Sequence, residues 1–272
     1  ANARAEIARR NFSVPKTCSV CFSSFTYARA YAYWDCVPKS HKEIPKLLDV
    51  SSIHYLEQLV RVMSAPGELQ SVCYGIQSFL ETAPTTLDKL NEKSLHVFFS
   101  PMVTHAIVLA RRLEIQCTRY IEDNSIFDSV PFASGEMEFV VTDETAVETR
   151  SCLLLVEMKP GPTRRLSTSA VLGQAIAELF AGRHVSSRAP NRMWNILSNG
   201  LSVTVLEVSK NGADEFLLRK SDTLAQTQPQ NFTEDMMVKF IAILLDGLQT
   251  AWQTQSCAQS SPVVGSTNEM NE

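Results

Sequence analysis

The stretch Cys152-Leu153-Leu154-Leu155-Val156-Glu157-Met158-Lys159 decides how the chain is interpreted. It predicts a strand, and the strand period of two places Glu157 and Lys159 on one face. The preceding run, Gly135-Glu136-Met137-Glu138-Phe139-Val140-Val141, predicts a neighbouring strand with Glu136 and Glu138 together on a single face. The two strands therefore predict a carboxylate cluster with a lysine beside it, which can bind a divalent cation and hold a water molecule.

Length and composition indicate a folded globular protein. The chain has 272 residues, of which 44% are hydrophobic and 20% charged, a balance that can bury a core. The net charge of -4 argues against a protein that coats nucleic acid by bulk electrostatics. Nucleic-acid binding would therefore need a local basic patch.

Cysteine usage and hydropathy bear on the compartment. Seven cysteines, an odd number, do not indicate a secreted disulfide framework, so a reducing compartment is expected. No apolar run approaches the roughly 20 residues that cross a bilayer, so no membrane association is expected. These features predict an intracellular protein of the nucleus or cytoplasm, with a secreted effector as the alternative.

The order of predicted elements indicates an α/β (α+β) fold with a mainly helical N-terminal region at 1–90. There, Ile53 to Met63 and Val72 to Leu80 repeat apolar residues with the period of amphipathic helices. Residues 91–256 predict a helix, three strands, a helix, a strand pair and a last helix. The predicted segments are 95–110, 113–121, 135–141, 152–159, 170–181, 201–208, 216–218 and 232–252. Residues 257–272 predict a disordered tail.

In this order the chain resembles the PD-(D/E)XK nuclease superfamily, which has the restriction-endonuclease-like fold. The resemblance is carried by Glu138, by the triplet Glu157-Met158-Lys159 and by Gln174 on the following helix, and it spans about residues 95 to 255. It implies a central mixed sheet flanked by helices. It further implies that Glu138 and Glu157 hold Mg²⁺ or Mn²⁺, that Lys159 supports the attacking water and that Gln174 completes the site.

The chemistry of magnesium agrees with these residue types, although one position departs from the family pattern. Magnesium prefers hard oxygen ligands, so two carboxylates and a backbone carbonyl, here that of Met158, suit it better than histidine or thiolate. The family usually has aspartate at the position of Glu138 and a proline where Met137 stands. Glu136 is therefore the alternative metal ligand, and a site that has lost its activity is the alternative outcome.

A basic region follows the triplet. Between 159 and 192 a single acidic residue, Glu178, stands among Lys159 and five arginines. These arginines are Arg164, Arg165, Arg183, Arg188 and Arg192. Such a region suits phosphate contacts with DNA or RNA, and a solvated loop is the alternative interpretation. A homodimer would suit cleavage of both strands of a duplex.

A second metal site is an alternative in the N-terminal region. Cys18, Cys21, Cys36 and His41 have a spacing that could bind Zn²⁺ tetrahedrally, but the aromatic residues between them equally suit a core segment. His96 and His105 lie in the predicted helix before the first strand, where a partly buried structural histidine is the more common case.

Two functions of different classes follow. The first is a metal-dependent nuclease-like domain that hydrolyses phosphodiester bonds. The second is a catalytically inactive, effector-like module that kept the nuclease fold and binds nucleic acid or protein.

Overall fold

The helices and strands are defined in a computed structural model. It describes residues 20–47, 53–82, 92–119, 130–143, 151–211, 215–228 and 231–256. The helices are α1 (Tyr27–Tyr33), α2 (Ile53–Met63), α3 (Glu68–Thr82), α4 (Glu92–Arg112), α5 (Ser169–Val185) and α6 (Glu234–Ser256). The strands are β1 (Val20–Cys21), β2 (Cys117–Arg119), β3 (Ala133–Ser134), β4 (Phe139–Asp143), β5 (Cys152–Met158), β6 (Arg192–Ser198), β7 (Ser202–Asn211), β8 (Glu215–Lys220) and β9 (Ala225–Gln226).

A mixed seven-stranded sheet forms the centre of the fold. Its order is β2-β4-β5-β6-β7-β8, and β9 pairs with β7. Strands β5 and β6 are parallel neighbours, whereas the other adjacent pairs in this sheet are antiparallel. Parallel neighbours require a crossover connection, and α5 lies in the connection between β5 and β6. The α/β class and the mixed sheet flanked by helices are thereby confirmed.

Two apolar layers cover the sheet, one on each face. Val156 of β5 belongs to the layer that includes α2, α4 and α6, whereas Leu155 belongs to the layer that includes α1 and α5. Every residue of β5 is buried, as expected for an inner strand that is covered on both faces. The N-terminal helices α1 and α2 thus contribute to the same two layers as the rest of the chain.

A glycine allows α5 to lie against the N-terminal segment. A Cβ atom added at Gly173 would lie 2.3 Å from the backbone nitrogen of Tyr27 and 2.6 Å from the carbonyl oxygen of Phe25. These separations are too short for a side chain of any size. The backbone of residues 25–27 can therefore contact α5 only because residue 173 has no Cβ, one position before Gln174.

Several sequence predictions hold in the structure. Helix α2 has the predicted bounds, Ile53–Met63, and α4 contains the predicted 95–110 segment with Pro101 inside the helix. Predicted segments 170–181 and 232–252 correspond to α5 and α6. None of the helices in the described ranges combines the length and apolar composition that a membrane span requires.

Two strand predictions were wrong in extent, and one strand was missed. Helix α4 continues to Arg112 and β2 covers only Cys117–Arg119, so most of the predicted 113–121 strand is not a strand. Strand β4 begins at Phe139, not at Gly135. Strand β6, Arg192–Ser198, is missing from the predicted segments, because the polar residues Asn195 and Ser198 are typical of a turn. The predicted tail at 257–272 lies outside the described residues.

Candidate metal and catalytic site

The end of β5 presents a buried ion pair. Lys159 follows the strand, and its backbone nitrogen donates to the carbonyl oxygen of Ser198 in β6 at 2.8 Å. Its Nζ lies 2.6 Å from Glu157 Oε1, and the two side chains are 11% and 2% exposed respectively. The predicted pairing of Glu157 with Lys159 on one face is present in the structure.

Helix α5 brings two further side chains to this pair. Gln174 and Glu178 are four residues apart and therefore share a helix face. Gln174 Nε2 donates to Glu157 Oε1 at 2.7 Å and to Glu178 Oε1 at 2.8 Å. The structure therefore brings together Glu157, Lys159 and Gln174, three of the residues that the sequence nominated.

Glu178 and Asn195 belong to the same cluster and were not predicted as site residues. Asn195 in β6 donates from Nδ2 to Glu178 Oε2 at 2.8 Å and to the carbonyl oxygen of Ala175 at 3.2 Å. Both residues are buried. A signal for Glu178 was available, because the predicted helix is apolar on all sides. An ionisable side chain inside a fully buried helix requires a polar partner.

The pKa values of both carboxyl groups are raised. Burial, followed by the charge of Glu178, raises the pKa of Glu157 well above its ordinary value, while Lys159 acts in the opposite direction. Burial raises the pKa of Glu178 to about 7, against the hydrogen bonds from Gln174 and Asn195, which favour its ionised form. The two buried carboxyl groups therefore ionise less easily than exposed ones.

One oxygen of Glu157 lacks a hydrogen-bond donor among the described residues. This oxygen, Oε2, is buried, and the carboxyl group of Glu178 lies within hydrogen-bond reach of the Glu157 carboxyl group. A buried carboxylate oxygen without a partner is unfavourable, so such an atom commonly marks a position where a cation or an ordered water binds. The oxygen is a hard donor of the kind that magnesium prefers.

The glutamates of the preceding strand are placed differently from the prediction. Both precede β4, so they do not share a strand face as expected. The carboxylate of Glu138 pairs with Nε2 of His96 in α4, and Glu136 is exposed. Phe139 pairs with Val156, and this antiparallel register continued by one residue sets position 138 beside position 157. Glu138 thus lies at the same end of the sheet as the ion pair.

The structure supplies part of the donor set that magnesium needs. Within the described parts of the chain, no three His, Cys, Asp or Glu side chains form a metal-binding group. Magnesium keeps several of its waters and is commonly held by one or two carboxylates, so a dedicated cage of three side chains is not required. Glu157 Oε2 can supply one carboxylate oxygen, whereas the carboxylate of Glu138 contacts His96 instead.

The proposed zinc ligands are only partly described. Cys18 lies outside the described residues. Cys21 is exposed, with its Sγ 3.2 Å from Ser23 Oγ, and burial raises the pKa of the Cys36 thiol to about 12. The ring of His41 packs edge-on against Tyr27. Cys21, Cys36 and His41, the described candidates for zinc ligands, thus each have different surroundings.

The two histidines of α4 have different surroundings. His105 is buried, its Nε2 lies 2.9 Å from Ser64 Oγ, and burial lowers its pKa. It is a structural residue between helices. His96 stacks on Phe139, with 4.7 Å between ring centroids, and pairs with Glu138, so it is the histidine associated with the candidate site.

The five arginines of the predicted basic region have different surroundings in the structure. Arg164, Arg165 and Arg188 are exposed. Arg183 is half-buried over the ring of Phe216, and Arg192 Nη2 lies 2.7 Å from the buried carboxylate of Glu207. Arg192 is therefore neutralised by a protein carboxylate, and of the three exposed arginines Arg164 and Arg165 are close in sequence to Lys159.

Comparison with known proteins finds no family model that matches this sequence and no curated protein with significant similarity to it. Function is therefore inferred from the chemistry of the site.

Proposed function

We propose that the chain is a metal-dependent nuclease-like domain of the PD-(D/E)XK type, which hydrolyses phosphodiester bonds of DNA or RNA. One observation carries the proposal. Glu157, Lys159 and Gln174 converge in a buried cluster in which Lys159 and Gln174 both contact Glu157 Oε1, while Oε2 lacks a hydrogen-bond donor among the described residues.

The proposed role of each residue follows from its contacts. Glu157 and Glu138 would hold Mg²⁺ or Mn²⁺, with Glu136 as the alternative to Glu138. Gln174 fixes the orientation of the Glu157 carboxylate by donating to one of its oxygens. Lys159 places a positive charge beside the same carboxylate, where it can orient a water and offset negative charge that develops on phosphate. A bound cation would polarise the phosphate and lower the pKa of a bound water.

Glu178 and Asn195 act through Gln174 and Glu157. Asn195 orients the Glu178 carboxyl, and Glu178 accepts from the same amide that contacts Glu157. Because the pKa values of Glu157 and Glu178 are raised, a proton has to leave the pair before both carboxyl groups can carry a negative charge. Metal binding at Glu157 should therefore release a proton and strengthen with rising pH.

The proposal is tested by nuclease assays with Mg²⁺ or Mn²⁺ on plasmid DNA, single-stranded DNA and RNA. Glu157→Ala and Lys159→Ala should each reduce cleavage by at least about 100-fold, because each removes a charge that acts on the transition state. Glu207→Gln is the matched control. Glu207 is an equally buried glutamate of the same sheet, bound by Arg192 and Trp194. Its substitution should leave activity per folded molecule unchanged.

Two outcomes of these assays would contradict the proposed function. If Glu157→Ala and Lys159→Ala both cleave at the wild-type rate, the proposed function is wrong. If the wild type binds nucleic acid without metal and cleaves none of the three substrates, the inactive binding module replaces the nuclease.

A further inference from the structure

A second polar site lies at the far edge of the sheet, beside β8. The backbone nitrogen of Leu47 donates to the carbonyl oxygen of Lys220 at 2.8 Å, and that of Lys220 donates to Pro45 at 2.9 Å. These bonds hold the N-terminal segment against the end of β8. A cavity of about 390 Å³ is formed there, and we name it the lysine pocket. Its polar lining consists mainly of His41, Lys42, Lys46, Ser167, Lys220 and Asp222.

The lining of the lysine pocket carries an excess of positive charge. Three lysines face a single carboxylate, Asp222, which pairs with Lys46 Nζ. Lys42 is exposed at the pocket and His41 is half-buried there. Lys220 Nζ is 3.1 Å from Ser167 Oγ, a neutral partner, so Lys46 and Lys220 share the single carboxylate of Asp222. Such a lining matches an anion with several acceptor oxygens.

The pocket is linked by a basic segment to the candidate catalytic site. From Lys159 to Ala177 the chain contains no acidic residue, and Arg164 and Arg165 are exposed in a 3-10 turn that ends at Ser167. The segment therefore begins at the lysine of the ion pair and ends in the lining of the lysine pocket. Its exposed positive charge comes from Arg164 and Arg165, which suit contacts with a phosphodiester backbone.

We propose that the lysine pocket binds a phosphate group of a nucleic-acid backbone, outside the scissile position. The assignment of this phosphate to nucleic acid rests on the proposed function, whereas the preference of the pocket for phosphate rests on its own lining. Burial lowers the pKa of Lys220, so a bound anion would also favour the charged form of its ammonium group. Arg164 and Arg165 contact the backbone between the pocket and the catalytic site.

The test measures binding of a short fluorescent single-stranded oligonucleotide in EDTA, over a series of salt concentrations. EDTA prevents cleavage, so the result does not depend on catalysis. The double variant Lys42→Ala/Lys220→Gln should weaken binding about tenfold and reduce the salt slope by about 0.7 for each lost phosphate contact. Lys220→Gln keeps a donor for Ser167, and Lys42→Ala alone tests an exposed side chain whose removal does not threaten folding.

Two control variants are expected to affect oligonucleotide binding differently. Lys210→Ala removes an exposed lysine at the end of β7, outside the pocket lining, and should leave both affinity and slope within twofold of the wild type. Asp222→Asn removes the carboxylate that pairs with Lys46 and should tighten binding. Inorganic phosphate, added as a competitor, should displace the oligonucleotide from the wild type more effectively than from the double variant.

The results separate the two proposals. Weaker binding by the pocket variants supports the lysine pocket even if the wild type proves unable to cleave. Wild-type affinity and slope in the double variant overturn the inference, as does a pocket that binds inorganic phosphate while oligonucleotide binding is unaffected by the substitutions. Loss of cleavage in Glu157→Ala with oligonucleotide binding retained would support the separation of the two sites.

Discussion

Gln174 Nε2 lies 2.7 Å from Glu157 Oε1, so a side chain of α5 orients the carboxylate at the end of β5. The same amide contacts Glu178 at 2.8 Å. One donor thus serves two carboxyl groups and favours the ionised form of each. The protonation state of the candidate site depends on this amide.

We expect Gln174→Leu to shift the pH dependence of metal-supported cleavage. A hydrogen bond to a charged group contributes about 1.5–3 kcal/mol, which corresponds to roughly one to two pH units. Without the donor, the carboxyl groups keep their proton to higher pH, so the acidic limb of the pH profile should move upward by about one unit. Activity measured across pH with saturating magnesium gives this shift.

Gln255→Leu is the matched control for Gln174→Leu. Gln255 in α6 is also buried and donates to a carboxylate, Asp143 Oδ2, at 3.1 Å, away from the candidate site. Its loss should lower stability without moving the pH profile. An unchanged profile in Gln174→Leu would contradict the role assigned to the amide.

Glu178→Gln should change how stability depends on pH. Burial raises the pKa of Glu178 to about 7 in the folded protein, so the native state binds its proton more tightly than the unfolded chain does. The free energy of unfolding therefore falls as pH rises from the ordinary carboxyl pKa, near 4.5, to about 7. The full difference is on the order of 3 kcal/mol.

A glutamine at 178 does not titrate, so this part of the pH dependence should disappear and the variant should exceed the wild type in stability above pH 7. The Oδ1 atom of Asn195 has no hydrogen-bond partner among the described residues, so it can turn to accept from the new amide. Urea unfolding at several pH values measures the effect, with the exposed Glu215→Gln as control. A parallel loss of stability in wild type and Glu178→Gln would contradict the prediction.

Gly173→Ala should destabilise the fold by at least about 3 kcal/mol. The new Cβ would lie 2.3 Å from the backbone nitrogen of Tyr27, and a backbone segment cannot move away as easily as a side chain. Gly75→Ala in α3 is the control, since nothing lies within 4 Å of its Cβ position. The control should stabilise the protein by up to about 1 kcal/mol through helix propensity. Thermal unfolding of both variants tests the contrast.

Structural elements were predicted most accurately from the sequence where a single pattern of residues was clear. Ile53–Met63 was predicted with its observed bounds because its apolar residues follow the helical period and its other face is solvated. Glu157, Lys159 and Gln174 were nominated together because their order along the chain resembles the PD-(D/E)XK pattern. Local periodicity was sufficient for the helix, and the family pattern nominated the three residues.

The remaining errors come from burial that the sequence does not reveal. Asn195 and Ser198 are residue types typical of a turn, yet both lie buried in β6. Their burial is tolerated because Asn195 donates a hydrogen bond to Glu178 and Ser198 donates one to the carbonyl oxygen of Ser202. Glu178 similarly lies in a helix that is buried on all sides. In each case the partner comes from a distant part of the chain, and no local pattern contains it.

Substitutions at Glu138 and Glu136 decide which glutamate accompanies Glu157 in metal binding. Glu138 lies at the register position beside Glu157 and pairs with His96, whereas Glu136 is exposed. We expect Glu138→Gln to raise the magnesium concentration for half-maximal cleavage at least about tenfold, because a carboxylate ligand is lost. Glu136→Gln should remain within about twofold of the wild type.

Calorimetric titration with magnesium provides a readout for the two glutamates that does not require activity. Glu138→Gln should lose most of the binding heat, and Glu136→Gln should keep it. The reverse order would make Glu136 the ligand and leave Glu138 as a structural partner of His96. His96→Gln distinguishes these cases further. If Glu138 binds the metal, removal of the competing imidazole should tighten magnesium binding.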